Sequence, residues 1–178
     1  MDVLWQFLIN FWNELTPFTR VQPWQAGLYI LAGRWTKSVG PGVWPCLPLL
    51  LRMETLDVVE QIVDLPNQIL QTSDNGALVV SGAVQYHIYD IKKYYLNVQD
   101  PDDSLQALAM LEIASFIVHS STDEITTQTI EDDVAQVVID KARDWGIEIT
   151  RLGVTHLAEA QPLYVTGDNT VGSAFIAT

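Results

Sequence analysis

The sequence predicts an α+β domain of antiparallel strands and two main helices, preceded by an amphipathic N-terminal helix. Three observations carry this. Residues 77–89 alternate apolar and polar side chains directly behind an Asp74-Asn75-Gly76 turn, the period of a half-buried antiparallel strand. From Asp100 onward the apolar spacing becomes helical, in two runs that end near Gly146. Alternation then returns from Ile147 to Leu157. Strands first, then two helices and a closing strand, make a compact α+β unit.

A chain of 178 residues, 48% of them apolar, can bury a core as one domain or as one domain divided into two small lobes. Its single cysteine, Cys46, excludes an intramolecular disulfide framework. The net charge of −13 is unevenly placed. Residues 1–52 carry +2 and the remaining residues −15. So acidic a body is repelled by nucleic acid and by anionic lipid head groups, whereas the Trp-rich N-terminal third is not. The chain therefore divides into an end suited to a membrane and an end suited to water.

Residues 3–18 place Leu4, Leu8, Phe11, Trp12 and Leu15 on one helical face, with Asp2, Gln6, Asn10, Asn13 and Glu14 opposite. The segment is too short and too often interrupted by polar groups to span a bilayer. It also lacks the basic start and cleavage site of a signal peptide. An in-plane interfacial helix fits best, with Trp5 and Trp12 at head-group depth. The other reading is a helix that clamps a neighbouring subunit. Pro17 and Arg20 end it.

Val21 to Leu31 reads as a strand, Gly33-Arg34-Trp35 as a turn and Gly40-Pro41-Gly42 as a second turn. Val43 to Leu51 is more apolar than an exposed loop should be, and Pro45 and Pro48 deny it a helix or a central sheet position. Such a loop is either buried or dips into something apolar. Trp24, Trp35 and Trp44, with Leu47 and Leu50, would form an interfacial belt in the second case. Met53 to Leu70 gives strands around Asp64-Leu65-Pro66, and Gly82 marks a bulge in the return strand.

Asp90 to Asn97 is a short helix. Asp100-Pro101-Asp102-Asp103 starts the next one, with a capping carboxylate, proline at the first helical position and acids on the positive end of the dipole. Its apolar residues run from Leu105 to Val118. A further helix spans Thr127 to Trp145 on a stripe of Ile130, Val134, Val137, Val138 and Ala142, with Gly146 as its C-terminal cap.

Pro41-Gly42-Val43-Trp44, Val63-Asp64-Leu65-Pro66, Thr72-Ser73-Asp74-Asn75-Gly76 and Asp144-Trp145-Gly146-Ile147-Glu148-Ile149 are each common turn or cap chemistry. In this order and spacing they resemble the SPFH (band 7) domain shared by stomatins, prohibitins and flotillins. The resemblance covers residues 21–158, leaving 1–20 as a membrane-associating or assembly helix and 159–178 as a short tail. It implies a non-catalytic, membrane-bound homo-oligomer that assembles laterally into a ring or cage-like array. It also implies lateral organisation of membrane proteins, or restraint of a membrane-bound AAA protease. Family members usually continue from the last strand into a long Ala- and Glu-rich coiled-coil helix. Here Ala158-Glu159-Ala160-Gln161 begins that way and stops at Pro162, so large coiled-coil-walled cages are not expected. Tyr164-Val165-Thr166 and Ala174-Phe175-Ile176 could each add a strand to a neighbouring edge.

No catalytic constellation is visible. His87, His119 and His156 are isolated, so no metal site is expected. Glu131-Asp132-Asp133 are successive residues on a helix and point in different directions. No phosphate loop, dinucleotide fingerprint or nucleophile elbow is present, so no cofactor is expected. Cys46 is a lipidated or reactive thiol, or a buried one. The expected partners are copies of the chain, membrane lipid and a membrane-protein or protease client, and not nucleic acid. The acidic domain would face the aqueous side. The candidate contact residues, for membrane or for assembly, are Leu4, Trp5, Leu8, Phe11, Trp12, Leu15, Trp35, Trp44, Leu47 and Leu50. The alternative function is a soluble ring-forming component of a larger particle, such as a viral one, with the N-terminal helix as the inter-subunit clamp. A hydrolase would need a nucleophile beside a base, which the sequence does not offer.

Overall fold

A computed structural model describes residues 6, 18–46 and 51–160. The expected N-terminal helix, the apolar stretch 47–50 and the expected tail strands lie outside these residues. In chain order the elements are β1 (Phe18–Val21), β2 (Gln25–Leu31), β3 (Trp35–Val39), β4 (Gly42–Pro45), β5 (Leu51–Asp57), β6 (Gln61–Gln71), β7 (Ala77–Ile88), α1 (Ile91–Asn97), α2 (Pro101–His119), α3 (Thr127–Arg143) and β8 (Ile147–Glu159). A single 3-10 turn, Thr122–Glu124, joins α2 to α3. The α+β class read from the sequence is the class observed.

The first lobe consists of a two-stranded ribbon, β1-β4, and a three-stranded sheet in the order β3-β2-β5, all antiparallel. Three expectations are corrected here. The strand read as Val21–Leu31 is two strands, because Pro23 lacks the N–H a ladder needs and a turn follows Val21. Trp35 opens β3 instead of belonging to the turn, which is Ala32-Gly33-Arg34. The irregular loop expected from Val43 starts later, since Gly42–Pro45 is a strand. Pro45 is tolerated because it sits at the end of a strand in a ribbon with two free edges.

The second lobe is the sheet β6-β7-β8 with α2 lying over β6 and α3 over β8. Along β7 every second residue is buried: Leu78, Val80, Val84, Tyr86 and Ile88 meet Leu105, Ala109, Ile113 and Ile117 of α2 and Ile130, Val134, Val138 and Ala142 of α3. This layer of β-branched and leucine side chains is the main core. Leu56 of β5 and Val58 just after it pack against it from the first lobe. Val137, expected in the buried stripe of α3, stands at its exposed margin, since the core-facing positions are 130, 134, 138 and 142.

Gly82 sits where both pairings of β7 shift register, between Leu65 and Gln68 on β6 and opposite Val154 and His156 on β8. The bulging residues belong to β6 and β8, and Gly82 is the flat position they need. A Cβ there would lie 2.6 Å from the Gly153 carbonyl oxygen. Gly146 closes α3 with φ +79, and its carbonyl accepts from the N–H groups of Tyr89 and Asp90 at 3.0 and 3.2 Å. One residue thus caps a helix and ties the end of β7 to the start of β8. The N-terminus of α3 is capped by Thr126, whose hydroxyl accepts from Thr129 N at 3.2 Å. Asp100, by contrast, does not cap α2 with its side chain. It takes a left-handed conformation (φ 48) ahead of Pro101, and its carboxylate makes no cap hydrogen bond.

Candidate functional site

Four parts of the chain meet at one end of the first lobe. Register places Trp35, Leu31 and Leu51 in a single row across β3, β2 and β5, so their side chains share a face. Trp35 is 72% exposed, and Leu31 is exposed beside it. At the same end the ribbon pairs Phe18 with Pro45. The Tyr29 hydroxyl donates to the Pro45 carbonyl at 2.6 Å and the Cys46 thiol to the Leu51 carbonyl at 3.3 Å. These two bonds draw the end of β4 onto the start of β5. The entry to β1 at Phe18, both anchors of the 47–50 segment and the β2–β3 turn therefore share one corner.

Cations fringe this corner. Arg34 lies in the turn beside Trp35, Arg52 pairs across from Ile30, Lys37 from Tyr29 and Arg20 from Val43. All four side chains are exposed, and among the described residues only Arg52 has a carboxylate partner, Glu54. The tip is apolar with a positive collar, while most acids lie in the second lobe.

Of the expected contact residues, Leu4, Trp5, Leu8, Phe11, Trp12, Leu15, Leu47 and Leu50 lie outside the described residues. Trp35 stands at the tip. Trp44 is half-buried: its indole N–H donates to the Gly40 carbonyl at 2.9 Å, and its ring meets Tyr29 edge-on at 6.1 Å. It buttresses the tip from the ribbon. Phe18, Leu31 and Val43 are exposed apolar residues that the sequence did not single out. The alternation of β2 and the end of the Trp-rich run held the only signal for them. Cys46 is half-buried and serves as the clip described above.

The histidines do not converge. His87 pairs with Glu148 across β7 and β8 at 3.3 Å, and the His119 ring contacts the Ser115 carbonyl at 2.7 Å. Among the described residues, no group of three His, Cys, Asp or Glu side chains could hold a metal ion. An open groove of about 650 Å³ runs along the α1–α2 connection, lined by Leu56, Tyr94, Tyr95, Leu96 and Val98. Beneath it the Tyr86 and Tyr94 hydroxyls both point at Asp102, which ties β7, α1 and α2 together. Burial and the adjacent carboxylate push both phenols up, Tyr94 to about 12. A phenol held that high is a donor that stays protonated, suited to holding structure.

The architecture is that of a two-lobed α+β domain whose first lobe ends in an apolar, cation-collared tip. The chain belongs to the SPFH domain / Band 7 family, whose sequence pattern matches residues 19–162. It is 26% identical over 136 residues to an uncharacterized protein of Archaeoglobus fulgidus, covering 75% of this chain and 55% of that one. It is 24% identical over 136 residues to a stomatin homolog of Pyrococcus horikoshii, covering 75% and 51%. Against the mitochondrial stomatin-like protein 2 of Mus musculus it is 26% identical over 122 residues, covering 67% and 35%. The chain thus spans about half the length of the two archaeal relatives and about a third of the mouse protein. Among the described residues, no helix is long and apolar enough to cross a membrane.

Proposed function

We propose that this protein is a non-catalytic, membrane-associated scaffold that works as a homo-oligomer and organises or restrains membrane proteins. Residues 1–18 and the tip of the first lobe sit on the bilayer, residues 21–158 form the assembling domain, and residues 159–178 are a peripheral tail. The observation that carries the reading is the shared corner. The exit toward residues 1–17, both ends of the 47–50 segment and the Trp35 turn lie together, ringed by Arg20, Arg34, Lys37 and Arg52. Apolar side chains with an aromatic at the rim and cations behind it suit a head-group interface. The acidic second lobe is turned to water by its own charge. Each anchor is weak, and side-by-side assembly multiplies it. Membership of the SPFH family and the stomatin names of relatives support the same reading.

The test is flotation of the full chain on liposomes beside a version lacking residues 1–18, with the mass of each species recorded. If the full chain floats and the truncated oligomer stays down, the N-terminal segment is an anchor. If neither floats and truncation dissolves the oligomer, the segment is an assembly clamp and the membrane reading falls.

A further inference from the structure

The turn that joins β6 to β7 carries a chemically reactive pair. Asn75 stands in the left-handed region (φ 64) and is followed by Gly76. That backbone suits Asn, and the next position accepts no side chain. A Cβ at Gly76 would lie 2.5 Å from Thr122 Oγ1 and 2.8 Å from Thr72 Oγ1. The turn thus requires glycine where a larger residue would shield the Asn75 amide from the backbone nitrogen that follows it. Among the described residues, the Gly76 N–H donates no hydrogen bond, and neither does the Asn75 side-chain nitrogen. The Asn75 side chain is exposed, and its Oδ1 accepts from Gln71 Nε2 at 3.1 Å. Asn67 and Asn97 are exposed too, but Gln68 and Val98 follow them, and the Asn97 amide nitrogen is engaged with the Asp144 carbonyl at 2.8 Å.

We propose that Asn75 is a site of spontaneous modification assisted by the fold, and that its product unfastens the β6–β7 turn from the junction of α2 and α3. Hydroxide from solvent takes the proton of the Gly76 N–H, and the nitrogen attacks Cγ of Asn75. The N–Cγ bond forms, the Cγ–Nδ2 bond breaks, and the departing nitrogen takes a proton from water and leaves as ammonia. Water then opens the resulting cyclic imide at either carbonyl, giving aspartate or isoaspartate. The sequence is a hydrolysis and needs no oxidant or reductant. Attacker and target are held in one short loop, so no encounter is required. The Gln71 amide donates to the oxygen on which negative charge builds during the attack.

Isoaspartate carries the main chain through the former side chain and lengthens it by one methylene. The register of the turn rests on Thr72 N to the Gly76 carbonyl at 2.9 Å and Asn75 N to the Thr72 carbonyl at 3.1 Å. The same few residues are fastened to the helix junction by Ser73 N to the Ser120 carbonyl at 3.1 Å and by the Thr122 hydroxyl to Asp74 at 2.9 Å. A longer main chain cannot keep both sets in place, so the link to the junction weakens.

The experiment ages the folded full chain at mildly alkaline pH and follows it by peptide mass spectrometry and by labelling with an isoaspartyl methyltransferase. Loss of the amide at Asn75 ahead of Asn67 and Asn97, with label at position 75, is expected. Asn75→Gly keeps the left-handed backbone and should abolish the label. Gln71→Ala should slow the conversion while leaving the urea midpoint of the fresh protein unchanged. The isoaspartate form, separated by ion exchange on its added charge, should unfold at lower urea than the parent. Conversion at Asn75 no faster than at Asn67 and Asn97 overturns the site. An unchanged rate in folded Gln71→Ala overturns the part given to the Gln71 amide, and an isoaspartate form with the parent's urea midpoint overturns the unfastening.

Discussion

The hydroxyl of Tyr86, buried near the C-terminal end of β7, donates to the Asp102 carboxylate in the first turn of α2 across 2.5 Å. The Tyr94 hydroxyl reaches the same oxygen at 3.1 Å. One acid at a helix N-terminus, where the dipole favours it, thereby fastens a strand and a second helix. Tyr86→Phe should cost about 1.5–3 kcal/mol in urea unfolding, the value of a hydrogen bond to a charged group. A double-mutant cycle with Asp102→Asn should show that the two losses are not additive.

The same phenols make the fold sensitive to alkali. Their folded pKa values are raised, so each contributes fully below the ordinary tyrosine range. That contribution is lost as pH rises, because the unfolded chain releases the proton first. For Tyr94 the loss runs up to about pH 12. Stability measured against pH should fall over this window, and Tyr94→Phe should flatten part of the fall.

Asp74 sets an acid limb at the other end of the sheet. Hydrogen bonds from the Thr72 and Thr122 hydroxyls hold its carboxyl down to about 2. The lowered value means the contribution is present above the ordinary carboxylate range and lost as pH falls toward 2. Carbon-detected NMR titration of Asp74 should show the depressed midpoint. Asp74→Asn should remove this limb and loosen the hairpin from the 3-10 turn.

Gly146→Ala should be among the most damaging single-methyl changes in the chain. The position has φ +79, and a Cβ would lie 2.3 Å from the Asp90 carbonyl oxygen. The left-handed conformation alone costs about 1–2 kcal/mol, and the clash is with backbone, which cannot rotate away. A drop in the urea midpoint larger than that of Tyr86→Phe is expected.

On α2, burial sharply separates near neighbours. Ile113→Ala should cost about 2–4 kcal/mol by opening a cavity in the core. Leu111→Ala, on the outward face, should stay within about 0.5 kcal/mol. Denaturant curves of the two variants show whether the outward position contributes to stability.

The layout of strands and helices was legible because it rests on local periodicity. The Asp74-Asn75-Gly76 hairpin, the alternation of β7 and the Gly146 cap all follow from neighbours in sequence. The short ribbon was not legible. β4 is a strand only because Phe18–Val21 pairs with it, and four residues ending in Pro45 carry no signal of a partner more than twenty residues away. Asp100 misled for a related reason: its residue type favours a cap, but its conformation ahead of Pro101 removes the side chain from that task. The tip residues were half legible. Trp35 stood out by type, while Leu31 and the collar of Arg20, Arg34, Lys37 and Arg52 become a group only through register.

Both rims of that sheet are guarded by a side chain from the helix above them. Gln106 of α2 holds the Asp64 carbonyl on β6, and Glu131 of α3 accepts from Val154 N on β8 at 3.0 Å. Together with the bulges, they leave no long straight edge on which another chain could nucleate an intermolecular ladder. If the chain gathers at a membrane as proposed, its copies meet at high local concentration, the condition under which bare edges seed fibrils. On the scaffold reading proposed above, guarded rims would let copies crowd densely and still come apart.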